Sequence, residues 1–394
     1  MNDRILITGS GVISAIGNGK KETLDALLTN RSGIGRMEYV GSDLTRLPVG
    51  EVKMSDDELK SMLSVGDDSP VVRTTLLGIA ALREALADAG IGDTRDVAFI
   101  SGTTVGGMDR TERFYSDALE GKGPADLLAT HDCGSCTADI AARCGGFAFV
   151  TTPSTACSSA MNAIILGCRL IRSGIYDIVV AGGAECLTRY HLDGFHSLMI
   201  LDENPCRPFD KDRAGLNLGE GAAYVVLESE SSARRRGVAA SAFVAGYGNA
   251  CDAFHQTASS EDGEGAFLAM SGALRMSGLS ADLIQYVNAH GTATPDNDAA
   301  ESRALRRVFG KNIPFVSSTK AFTGHTTSAS GSIETVICML AMENGFVPAN
   351  LNWHTPMDDG ILPVAVSEKC QLTNVMCNAF GFGGNDSSII LSAL

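Results

Sequence analysis

Four short stretches of this 394-residue chain hold the side-chain types that acyl-transfer chemistry needs. In TTPSTACSSA, Cys157 follows a short β-branched and aromatic run (Phe147 to Val150). It precedes apolar residues at helical spacing: Met161, Ile164, Ile165, Cys168, Leu170 and Ile171. A thiol at such a strand-to-helix elbow faces the positive end of a helix dipole, which lowers its pKa and raises its thiolate fraction. Cys157 is therefore a candidate nucleophile, with a buried structural cysteine as the alternative. VNAHGTATP sets His290 directly after a predicted strand, beside Gly291, Thr292 and Thr294. SSTKAFTGHT sets Lys320 five residues before His325, with Glu334 on the helix that follows. NAFGFGGND is a turn whose Gly381, Gly383 and Gly384 can expose amides to a reacting oxygen. Covalent acyl transfer needs a nucleophile, donors for an oxyanion and groups that handle charge in the next step. Singly, a strand-end histidine is more often a satisfied hydrogen-bonding residue and a glycine-rich turn only a turn. Their recurrence at several strand ends, together with Cys157, favours one joint site.

The elements that must position these residues follow from periodicity and breakers. Strands are predicted over Arg4–Gly11, ending in a glycine turn, Val97–Gly102, a buried run at Phe147–Val150, Ile175–Gly182 and Gly219–Glu228. Helices are predicted over Lys20–Thr29, Pro70–Gly90, Asp109–Leu119 and the run after Cys157, capped by Ser154 or Thr155. Residues 42–69 and 183–217 read as irregular, and 121–146 as a loop-rich insertion with some helix. After a short basic join at Ser231–Gly237, the second part repeats the grammar. Its strands are Phe243–Gly248, Ile284–Ala289, Phe315–Ser318, Val375–Asn378 and Ser387–Leu391; its helices are Gly265–Gly278, Ala299–Phe309 and Ser328–Asn344. Cys157 lies at an elbow of one part and His325 at an elbow of the other. The order predicts duplicated α/β halves, 1–230 and 238–394, whose elbows meet at one site.

Composition narrows the class. With 44% apolar and 20% charged residues, the chain can bury a large core. A net charge of −15 argues against nucleic acid or an anionic membrane surface as partner. Eleven cysteines behind a start, MNDRILITGSG, that has no secretory pattern read as reduced thiols of a cytoplasmic protein. No apolar run approaches bilayer-spanning length.

TACSSA, VNAHGTATP, SSTKAFTGHTTSASGSIE and NAFGFGGND, in this order, resemble the elongating β-ketoacyl–acyl-carrier-protein synthases, the ketosynthase I/II group of the thiolase fold. ILITGSGVISAIGNG and RPFDKDRAGLNLGEGAAYVVLE extend the resemblance over nearly the whole chain. It implies a layered α-β-α-β-α arrangement, no cofactor, no metal and an acyl carrier protein as partner. It further implies that Cys157 takes an acyl chain from a carrier thioester, with an oxyanion hole from the Cys157 and Phe382 amides. His290 and His325 would bind the malonyl carbonyl and promote loss of carbon dioxide, and Lys320 and Glu334 would organise His325 and the local charge. Phe382 matches a gate for malonyl entry, with Phe380 beside it. Thr292 and Thr294 match pantetheine contacts, and Val105, Met108 and Gly383 are further substrate positions. Initiating ketosynthases carry Asn where His325 stands, thiolases need a second cysteine in the C-terminal glycine turn, and chain-length-factor partners lack the nucleophile.

The chain also departs from that pattern. Where housekeeping members carry a basic cluster for the carrier, this chain has SVGDDSP with Asp67 and Asp68. Docking then falls to Arg110, Arg113, Lys122, Arg207, Lys211 or Arg213, or to a partner subunit. The 121–146 segment is short and lacks the family's apolar run, which points to a specialised polyene or polyketide pathway and a homodimer or a heterodimer with a ketosynthase-like subunit. Two rival readings are weaker. His131, Cys133, Cys136 and Cys144 have loose spacing for zinc. GSGVIS resembles the turn of an NAD(P)-dependent oxidoreductase, but Ser14 stands where the third glycine belongs.

Overall fold

Strands apolar on both faces, separated by amphipathic helices, form one mixed sheet covered on both sides. The structure, a computed structural model, describes residues 3–66 and 70–394; Asp67 and Asp68 lie outside the described residues. The principal strands are β1 (Ile5–Ser14), β2 (Ala98–Gly102), β3 (Phe149–Thr151), β4 (Ile178–Glu185), β5 (Gly221–Ser229), β6 (Ala242–Cys251), β7 (Tyr286–Asn288), β8 (Phe315–Ser317), β9 (Asn374–Gly381) and β10 (Asn385–Ala393). Their spatial order is β3-β2-β4-β5-β1-β6-β10-β9-β7-β8, with the short strand Gly17–Asn18 paired to β1. Numbered within its own half, each set of five strands runs 3-2-4-5-1. The two first strands meet where Leu6 and Ile7 pair with Phe243 and Ala242. The duplication expected from element order is therefore also a duplication of topology.

Among the described residues the helices are α1 (Lys20–Leu28), α2 (Asp56–Leu63), α3 (Arg73–Asp88), α4 (Met108–Leu119), α5 (Cys133–Arg143), α6 (Ser159–Arg172), α7 (Arg189–Ser197), α8 (Glu230–Arg236), α9 (Glu264–Ser277), α10 (Pro295–Phe309), α11 (Lys320–Thr323) and α12 (Ser330–Asn344). They fall into layers defined by three cores. Val225 and Leu227 of β5 and Ile389 and Leu391 of β10 face a central core with Ile164 of α6 and Val336 of α12. The alternate residues Tyr224 and Val226 face an outer core with Leu76, Leu77 and Leu82 of α3. Met376 of β9 and Ile390 of β10 face the other outer core, with Met270 of α9 and Leu305 of α10. Period-two alternation thus feeds an α-β-α-β-α stack.

Several expectations change. β1 runs straight through Gly9 to Ser14, so GSGVIS is strand and not a dinucleotide-binding turn. A side chain at Gly11 would place its Cβ 2.2 Å from the Ala81 carbonyl oxygen, so that glycine serves the close approach of α3. β3 is exposed at the sheet's edge and not buried. Residues 42–69 contain α2, started by a Ser55–Glu58 capping box, and 183–217 contain α7. No described helix is long and apolar enough to cross a membrane.

Candidate active site

Cys157 sits two residues ahead of α6 in an elbow held by its neighbours. Ala156 adopts a left-handed φ of 51°, which costs a non-glycine residue about 1–2 kcal/mol and requires fixed surroundings. The Ser158 hydroxyl lies 2.8 Å from both the Thr155 carbonyl and Asn385 Oδ1, and the Ser159 hydroxyl donates to the Ala156 carbonyl at 2.6 Å. The cap is thus not Ser154 or Thr155: Ser158 is the N-cap residue and gives no side-chain cap bond. The thiol is buried, and burial pushes its pKa up to about 11, against the Lys320 charge and the Phe382 amide, which lower it. The helix-dipole expectation of a lowered pKa fails because desolvation outweighs it. The Cys157 and Phe382 amides both aim at this sulfur.

The second half brings the histidines. His325 Nε2 lies 3.1 Å from Cys157 Sγ, and its ring meets His290 edge-on with centroids 5.3 Å apart. His325 is pinned through its backbone: its amide donates to the Asn217 carbonyl at 2.7 Å, and the Gly219 amide donates back to its own carbonyl at 2.9 Å. The His290 and Gly291 amides donate to the Glu301 carboxylate of α10 at 2.9 and 2.8 Å. Burial, and then the Lys320 charge, hold both imidazoles well below the ordinary histidine pKa, so each is neutral at pH 7. Lys320 Nζ contacts Glu334 Oε1 at 2.6 Å, both groups almost fully buried. Burial raises the Glu334 carboxyl to about 7 although Lys320 opposes it.

Cys157 and the two histidines share a cavity of about 250 Å³, lined also by Thr292, Thr294, Phe380, Phe382 and Gly383; Lys320 and Glu334 do not line it. The Thr292 and Thr294 hydroxyls bond each other at 2.8 Å. Val105 and Met108 do not line it; they pack with the α3 core, and the Val105 amide donates to Glu185.

A family model described as "Beta-ketoacyl synthase, N-terminal domain" matches residues 2–233, and one described as "Beta-ketoacyl synthase, C-terminal domain" matches 241–354. The chain belongs to the β-ketoacyl synthase family. It is 33% identical to a 3-oxoacyl-[acyl-carrier-protein] synthase 2 of Vibrio cholerae, over 99% of each chain. Among solved structures it is similar to the ishigamide ketosynthase/chain length factor, with a TM-score of 0.94 and 31% identity over 100% of both chains. It is also similar to a ketosynthase in complex with its chain length factor from Xenorhabdus doucetiae, with a TM-score of 0.85 and 31% identity over 100% of this chain and 98% of that one.

Some features of this β-ketoacyl synthase escaped sequence reasoning. Phe195 of α7 stacks on Phe382 at 5.7 Å, and buried His191 meets Phe195 edge-on. Their i, i+4 spacing was a usable signal, but the stretch read as irregular. Ser330 lies 3.0 Å from His325 Nδ1, and nothing in a serine-rich run marks that partner. The six bases considered for carrier docking each face an acid of their own chain: Arg110 with Asp126, Arg113 with Asp56, Lys122 with Glu120, Arg207 with Asp202, Lys211 with Asp358 and Arg213 with Asp298. Cys133 bonds the Thr104 carbonyl while His131 bonds Thr111. Among the described residues no group of three such ligands converges on a metal position.

Proposed function

We propose that the chain catalyses decarboxylative Claisen condensation, joining a malonyl-carrier thioester to an acyl group held on Cys157 and lengthening it by two carbons. The observation that carries the reading is the Nε2–Sγ approach of 3.1 Å between His325 and Cys157, which joins the two halves at one point. The Cys157 sulfur attacks the acyl-carrier thioester carbonyl, its oxyanion rests on the Cys157 and Phe382 amides, and the carrier thiol leaves. Malonyl thioester then enters with its carbonyl oxygen toward His290 and His325. Two neutral imidazoles each offer an N–H to that oxygen without shedding a proton, so negative charge can build there as the carboxylate departs as carbon dioxide. The enolate carbon bonds to the acyl carbonyl carbon, the C–S bond to Cys157 breaks, and the thiolate takes a proton. Lys320, neutralised in part by Glu334, keeps positive potential beside the sulfur. Thr292, Thr294 and Gly383 contact the pantetheine arm, while Phe382, with Phe380 beside it, gates the entrance.

The chain is further proposed to work in the cytoplasm, as two thiolase-like halves (1–230 and 238–394), with an acyl carrier protein and a second ketosynthase-like subunit. Exposed β3 offers an edge for that subunit, and the internally paired bases favour a partner's contribution to carrier docking. A specialised elongation pathway fits the chain's resemblance to ketosynthases solved with chain length factors. The test is intact-protein mass spectrometry after incubation with a panel of acyl carrier proteins, alone and with candidate partner subunits. Acyl adducts on the wild type that vanish in Cys157→Ala are expected; adducts that persist in the mutant refute the assignment.

A further inference from the structure

Ser330, the first residue of α12, holds its hydroxyl 3.0 Å from His325 Nδ1 and 3.2 Å from the Thr326 hydroxyl. His325 Nε2 faces the sulfur at 3.1 Å, and Ser330, Thr326 and His325 are each 1–2% exposed, so water does not compete for these bonds. A neutral imidazole carries one N–H, and the partner of one nitrogen decides where that proton sits. Once Cys157 is a thioester it has no proton to give, and Nε2 then faces only acceptors: the sulfur and the incoming carbonyl oxygen. The proton must be on Nε2 for His325 to bond either of them, and Nδ1 must then accept. Ser330 can supply that donor, since the Thr326 hydroxyl is placed to fill its acceptor side.

We propose that Ser330 is a positioning residue that donates to His325 Nδ1 and so keeps the imidazole proton on Nε2, aimed into the reaction site. The inference rests on reading His325 as a donor to the malonyl carbonyl, and it adds a three-member relay, Thr326 to Ser330 to His325. The other groups around the ring are Cys157 from the elbow, His290 beyond β7, Lys320 of α11 with its Glu334 partner, and His191 of α7. None of these bonds Nδ1, whose contact is the Ser330 hydroxyl, so Ser330 is the contact to remove.

The experiment compares wild type, Ser330→Ala and Ser330→Thr in the full chain. Histidine-selective ¹⁵N labelling, with only seven histidines to assign, reads the His325 tautomer in the resting and the Cys157-acylated protein. Malonyl-carrier decarboxylation is followed in parallel from pH 5 to 9. A proton on Nε2 in acylated wild type is expected. Ser330→Ala should lose about tenfold in kcat with KM little changed, the worth of one neutral hydrogen bond. Its acid limb should move to higher pH, because the lost donor had favoured the neutral ring. Ser330→Thr should restore both. A proton on Nδ1 in acylated wild type overturns the proposal whatever the variants do. So does a rate loss in Ser330→Ala that is uniform in pH and not restored by threonine, which marks a packing role. A wild type that never decarboxylates malonyl carrier refutes the parent function, while the tautomer measurement still decides the role of Ser330.

Discussion

Replacing His325 by alanine should separate the two chemical stages by a measurable margin. The ring is buried and neutral, so its loss leaves no stranded charge, and it touches both the sulfur and the place where the malonyl carbonyl would lie. For acylation, the relevant quantity is the thiolate. A thiol held at about 11 is ionised to roughly one part in 3,000 at pH 7.5, and the 3.1 Å contact with His325 Nε2 is one of several that meet this sulfur. Removing one such bond costs about 1.5 kcal/mol, or roughly tenfold in acylation rate. For decarboxylation, His325 is one of two donors to an oxygen that gains full negative charge, and loss of such a donor typically costs about 10²–10³ in kcat, or ~2.7–4 kcal/mol. The variant should therefore form acyl-Cys157, seen as a mass adduct over minutes, while its release of carbon dioxide from malonyl carrier falls at least ten times further. Equal losses in both assays, or a larger loss in acylation, would show that His325 acts on the sulfur alone and would refute the assignment.

Two more outcomes follow from burial. Glu301 and Glu334 are raised to about 7 from 4.5 and Asp386 to about 8 from 3.8, chiefly by desolvation, so the folded chain holds protons that the unfolded chain has already released. His290 and His325 are shifted downward and work against this below pH ~6.5, where unfolded histidines charge. Above that pH only the carboxyl effect and, further up, the raised cysteines remain, and both remove stability as pH rises. Stability should fall by roughly 4 kcal/mol between pH 6.5 and 9 from these three carboxyls, read as a lower denaturant midpoint; a flat or rising profile contradicts the carboxyl shifts. At the sheet's edge, Phe149 and Val150 are 38% and 37% exposed on a strand paired on one side only. Val150→Lys should convert a dimer, with either kind of partner, to monomer by light scattering, with little change in the far-ultraviolet spectrum. An unaltered assembly state would place the interface elsewhere.

The sequence made the alternation of strands and helices legible wherever one period dominated. The buried stripe of α3 and the apolar runs of β4 and β5 are examples. It misjudged places where the period is carried by few residues. α7 has only two buried residues, His191 and Leu192, so its helical repeat is drowned by polar positions. The candidate site residues stood out in the sequence only jointly, through their types and their recurrence after strands, as with His290 between Ala289 and Gly291 at the end of a predicted strand. What could not be read was sign and partner. Whether Cys157 is pushed up or down depends on how completely it is desolvated, which is a property of the assembled halves and not of the elbow. The paired state of Arg110, Arg113 and Arg213 likewise depends on acids from 16, 57 and 85 residues away.

The duplicated topology accounts for why the proposed chemistry falls between the halves. Cys157 follows the third strand of the first half and His325 the third strand of the second, and each elbow leads into a helix, α6 or α12, that lies in the shared central layer. The related positions therefore converge, with His325 Nε2 3.1 Å from Cys157 Sγ, the proposed nucleophile. The residues after the two second strands have diverged in the same way. His290 follows β7 and faces the cavity, whereas Thr103 and Thr104 follow β2 and are occupied with the Glu185 carboxylate. On the proposed mechanism, one half carries the bond-forming sulfur and the other the neutral donors, whose low pKa depends on burial against the first. Loosening the seam at β1–β6 or in the α6–α12 layer should then let water in and raise both imidazole pKa values. The chemistry would be lost before the fold is.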